Sequence, residues 1–97
     1  MVDLMDLPNV ACDDDWLEMG EGERGVVRGR LDGALRNGDA SMLVSNAAWE
    51  LTVVSLRGGY GGRDQPAGAT VRVVVTRTED GLEATTNDVD VQSENMT

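Results

Sequence analysis

Histidine, lysine, phenylalanine and isoleucine are absent from this chain of 97 residues, and cysteine occurs once, at Cys12. Each absence removes a class of chemistry. Without histidine there is no Ser-His or Cys-His nucleophile pair, no imidazole acid–base group and no histidine-ligated zinc. Without lysine there is neither a Schiff-base amine nor a P-loop lysine. A lone thiol forms no intramolecular disulfide, which suits a reducing compartment, and it falls short of the four ligands a structural zinc wants. As a nucleophile Cys12 would need a base that the chain does not offer, and its neighbours Asp13, Asp14 and Asp15 disfavour the thiolate. No apolar run approaches the ~20 residues of a membrane span; the longest, residues 47–56, is interrupted by Glu50 and Thr52. The expectation is a non-enzymatic protein with no catalytic residue, no cofactor, no metal site and no membrane span. The first ten residues carry Asp3 and Asp6 and no cation, unlike a secretory signal, so a cytoplasmic or virion location is expected.

What remains is acidic and uneven. Eighteen carboxylates face eight cations, all arginine, for a net charge of −10. Such a composition is that of halophilic proteins; GC-rich coding in a bacterium or phage gives the same lysine-to-arginine bias. All eight arginines lie between Arg24 and Arg77, where only Asp32, Asp39, Glu50 and Asp64 oppose them. That stretch is therefore net +4 and the two ends together are net −14. The layout is an acidic arm on each side of a mildly basic centre. It predicts an arm over residues 1–19, a folded domain over 20–86 and an acidic tail over 87–97.

Strand patterns fill the centre. Val27 and Leu31 alternate with Arg28 and Arg30; residues 41–45 form a short second strand; residues 48–56 form a third. In that third strand Trp49, Leu51 and Val53 share the face assigned to the core, opposite Glu50 and Thr52. Residues 70–76 are the clearest strand, with Val71, Val73 and Val75 on one side. Asp80-Gly81 is a turn signal leading into a fifth strand over 82–86, and Asp32-Gly33 and Asn37-Gly38 compete to close the first hairpin. The intervening stretch 57–68, with five glycines and Pro66, is a loop. Trp16 to Met19 suits a short helical turn after the aspartates. Five short strands with one apolar face each hide it by closing into a small OB-like barrel or by packing as a compact sandwich.

Three motifs fail on physical grounds. Residues 20–25 match G-x-G-x-x-G, yet a strand follows where the dinucleotide motif needs a helix, and two glutamates would repel phosphate. Asp13-Asp14-Asp15 lacks the alternation that converges ligands on calcium. The terminal Asn95-Met96-Thr97 fits a glycosylation acceptor without a secretory context.

Between Gly22 and Thr86 the order of features resembles the soluble OB domain of NfeD-type proteins. The resemblance rests on Gly22 and Gly25 before Val26, Val27 and Leu31, on Trp49-Glu50, and on Gly68, Val71, Val73 and Val74 closing on Gly81 and Leu82. It covers about two-thirds of the chain, departing from it in the glycine-rich insertion at 57–68 and in the lack of accompanying membrane segments. The resemblance implies an OB-like barrel without catalysis that serves interactions.

The leading expectation is thus a protein-interaction or assembly module that joins other protein subunits as a homo- or hetero-oligomer, a virion component being one such setting. Asp13, Asp14, Asp15, Trp16, Tyr60 and Arg63 are its expected partner-binding residues, and removal of residues 1–15 is expected to weaken association while the domain stays folded. The alternative is a single-stranded nucleic-acid-binding OB domain that uses Arg28, Arg30, Trp49, Arg57, Tyr60 and Arg63, because bases stack on aromatics beside a cationic groove. Against it stand the net charge and the expected burial of Trp49.

Overall fold

A computed structural model describes Leu7, Asn9, Val10 and residues 15–92. The fold is all-β: β1 (Arg24–Leu31), β2 (Ser41–Ser45), β3 (Leu51–Leu56), β4 (Thr70–Thr78), β5 (Gly81–Ala84) and β6 (Val89–Gln92). Helical structure among the described residues is confined to two short 3-10 turns, Asp15–Glu18 and Thr86–Asp88. The strands run in the order β1-β2-β3-β5-β4, and β1 pairs with β4 to close the ring. β3 and β5 are parallel and the other pairs antiparallel, so this is a closed, mixed five-stranded OB-like barrel. Closure, not sandwich packing, is how the chain hides its apolar faces.

The core follows from period-2 alternation. Val71, Val73 and Val75 of β4, Val27 and Leu31 of β1, and Met42 and Val44 of β2 are buried together with Val54 and Leu56 of β3 and Leu82 and Ala84 of β5. β-branching at so many of these positions suits a pleated surface. β1 turns from β4 to β2 near Gly29, where a Cβ would collide with the Ser45 carbonyl, so the close crossing needs glycine.

Several expectations change. On β3 the buried face is Thr52, Val54 and Leu56, while Trp49, Leu51 and Val53 are exposed. The Val53-Val54 pair breaks the alternation, so either parity could have been the core. Pairing decides: Thr52 lies opposite Val44 and Val54 opposite Met42, and opposite residues share a face. The strand itself starts at Leu51, because Trp49 has φ 65°. The β4–β5 turn is Glu79-Asp80, with Thr78 opposite Gly81, one residue earlier than Asp80-Gly81. Neither Asp32-Gly33 nor Asn37-Gly38 closes a tight hairpin.

Instead residues 32–40 and the 57–68 loop zip onto each other. Leu35 and Gln65 exchange backbone hydrogen bonds of 2.9 and 2.7 Å, Gly38 N–H donates to the Tyr60 carbonyl (2.6 Å), and Tyr60 N–H donates to Asp39 (2.8 Å). The pair of loops drives Leu35 and Tyr60 into the core.

The expected ends are also shorter than drawn. β6 continues past residue 86 along the edge of β4 that β5 leaves, pairing Val73 with Val89 and Thr70 with Gln92. Near the start, Asn9 bridges Val26, Val10 N–H donates to the Val26 carbonyl (2.7 Å), and Val10 joins the core. This covers the edge of β1 upstream of its short pairing with β2. Trp16, in the first 3-10 turn, packs on the core with Arg77 4.7 Å over its ring. Residues 1–6, 8, 11–14 and 93–97, with Cys12, Asp13 and Asp14, lie outside the described residues.

Candidate interaction face

The β2–β3 hairpin is built around Asn46. Its Oδ1 accepts from Ala48 N (2.8 Å) and Glu50 N (3.2 Å), and its Nδ2 donates to Glu50 Oε1 (2.8 Å). Backbone bonds Trp49 N to Asn46 O and Asn46 N to Glu50 O close the turn. An asparagine favours such turns because its side chain satisfies the backbone two residues on. The turn holds Trp49 in the left-handed region, φ 65°, where it is the one residue other than glycine with positive φ among those described. An indole in that conformation is uncommon and strained, and sites of this kind cluster where a protein binds. Trp49 is 73% exposed, with the Arg30 guanidinium 5.2 Å from its ring centre.

Next to Trp49 the outer side of the barrel is apolar. Leu43 of β2 stands opposite Val53 of β3, Leu51 is the next outward residue along β3, and all three are exposed, Val53 by 57%. Trp49, Leu51, Val53 and Leu43 therefore make an apolar strip on the β2–β3 face. Arg28 and Arg30 alternate outward on neighbouring β1.

The other expected site residues disperse. Tyr60 is 5% exposed and its hydroxyl donates to the Arg63 carbonyl at 2.8 Å, so it offers no ring to a partner or a base. This corrects both site sets, and the reason is the packing of the two loops that draws the ring inward. Arg63 is exposed on that loop. Arg57 pairs with Glu83 at 3.1 Å in an exposed salt bridge. Trp16 is half-buried against the core, and Asp15 opens the 3-10 turn. Of the expected nucleic-acid set, the fold joins Arg30 to Trp49 and sets Arg28 nearby on β1; the rest lie elsewhere or inside.

Sequence reasoning missed Leu43, Leu51 and Val53 as surface residues. The available signal was apolar residues at both parities of 51–56, more than one buried face needs.

Among the described residues no three side chains cluster to hold a metal, and no helix is long and apolar enough to cross a membrane. Compared with protein families, curated proteins and solved structures, the chain finds no match.

Proposed function

We propose that the protein is a non-enzymatic interaction or assembly module that docks other protein subunits on the β2–β3 face, with Trp49 as its anchor. The observation that carries this reading is the exposed strip of Trp49, Leu51, Val53 and Leu43, held outward by a strained turn. Contiguous apolar surface of this kind marks interaction sites, and a large, rigid, amphipathic indole is the side chain most enriched at their centres. The NfeD-type resemblance supports the same non-enzymatic reading. The acidic composition supports a high-salt setting.

Arg30 over Trp49 favours a second reading, a stacking platform for single-stranded nucleic acid. Burial of Tyr60 leaves that platform with one ring, and the net charge of −10 opposes phosphate.

The test is a photo-reactive residue placed at position 49 of the full chain in its source cells, with position 36 in the loop as control. Protein-sized adducts from 49 and not from 36 are expected. Nucleic-acid adducts would favour the second reading, and an equal yield from both positions would sink the first.

A further inference from the structure

β3 also has an unpaired edge. Its ladder with β5 starts at Val54 opposite Leu82, and among the described residues no strand lies against that edge of Leu51, Thr52 and Val53. β2 takes the other edge from Ser41 to Ser45. Leu56 N–H donates to Ala40 on the β2 side and Arg57 N–H to Ala84 on the β5 side, each at 2.8 Å. Stepping back by twos, the N–H of Val53 and both backbone groups of Leu51 point past the start of β5. Unpaired strand edges are templates for another strand.

A groove of about 250 Å³ runs along this edge, between Leu51, Thr52 and Val53 on one side and Asp80 and Gly81 on the other, with Trp16 in its wall. Thr52, which helps to line it, is 3% exposed and its Oγ1 has no hydrogen-bond partner. That hydroxyl lies on the buried face of β3 and is closed to solvent, so it takes no part in the groove. Asp80 is the one charged residue in the groove's lining. Glu18, Glu50 and Glu79 follow or precede lining segments in sequence, with Glu50 also accepting from Asn46, and the nearby cation Arg77 lies over Trp16.

We infer that this groove receives an extended, basic peptide segment of a partner protein, which adds to β3 as a strand in line with β5. Backbone bonds to Leu51 and Val53 hold it, apolar side chains on alternate positions enter the groove, and flanking lysine or arginine meets the carboxylates. A second copy of the chain is disfavoured as the occupant, because it would bring these four carboxylates against their own counterparts on molecules of net charge −10. The inference rests on the protein-binding reading above in that the ligand is a polypeptide; the groove shares Leu51 and Val53 with the apolar strip but not Trp49 or Leu43.

The experiment is amide NMR titration of the full chain with an acetylated peptide, Lys-Val-Arg-Val-Thr-Val-Lys. Two control peptides are its counterpart N-methylated at alternate residues and one with glutamate at every basic position. Expected are shifts confined to Leu51, Thr52, Val53 and Gly81 and affinity about tenfold lower for the N-methylated peptide. Weaker binding is also expected for the glutamate peptide and for Asp80→Lys, with Trp49→Gly unchanged. Equal binding of the N-methylated peptide, no binding, or a dimer abolished by Asp80→Lys would overturn the inference. Loss with Trp49→Gly and not with Asp80→Lys would overturn it too, while assigning the peptide to the apolar strip and so sustaining the protein-binding reading.

Discussion

Trp49 keeps a conformation that costs an L-residue roughly 1–2 kcal/mol, and the hydrogen bonds of Asn46 are what impose it. The strained turn turns the largest side chain of the barrel outward, when burying it would have stabilised the fold. Thr52 is a second residue whose environment does not serve stability. Its hydroxyl is buried in a β-branched side chain of nearly valine's shape and bonds to nothing. Thr52→Val removes the orphaned group without leaving a cavity, so it is expected to stabilise the fold by about 1 kcal/mol. Urea denaturation checks this: the midpoint should rise with the slope unchanged, and a lower midpoint would mean that the hydroxyl has a partner in solution.

At the scale of elements, the short segment around Asn9 and Val10 acts as part of the barrel wall. Val10 is 5% exposed and its N–H is bonded to the Val26 carbonyl. Deleting residues 1–10 is therefore expected to destabilise the domain by about 2–3 kcal/mol, from one buried valine and one backbone hydrogen bond. Thermal unfolding of the truncated chain measures it; an unchanged transition would show that β1 keeps its edge covered by other means. The sequence pattern alone does not carry this contact, since Asn9-Val10 is a single pair with no periodicity around it. β4 was legible over residues 70–76, where buried Val71, Val73 and Val75 alternate with half-buried neighbours, though it runs on to Thr78, and β2 was legible to the residue. β6 was not, because Val89-Asp90-Val91 is too short to register as a period. The face of β3 was readable only once Met42 and Val44 had been paired with it, a fact about register that no window on residues 48–56 contains. For the same reason Trp49 was identifiable as a candidate while the apolar strip beside it was not. Tyr60 belongs to a third kind of failure: a glycine-rich loop signals turns, but not that its one aromatic will be pulled inward by a second loop, which it meets at Gly38 and Asp39.

The whole molecule carries a net charge of −10 and a single ion pair among its described residues, Arg57 with Glu83, which is exposed. Exposed pairs contribute little, so what salt screens is mainly repulsion. Raising sodium chloride from low to molar concentration is expected to raise the melting temperature by several degrees, and calorimetry across that range decides it. A falling temperature would mean that attractive pairs dominate. The ring itself has a further consequence, in time. Its largest seam joins Arg24 with Thr76 through Arg30 with Thr70, residues that are far apart along the chain. Until β4 arrives, β1, β2 and β3 have nothing to close against, and the two-faced apolar stretch of β3 stands in water on both sides. Pairings so distant form slowly, on the millisecond-to-second scale of small barrels, and through that interval the newborn chain is most open to sticking to its neighbours.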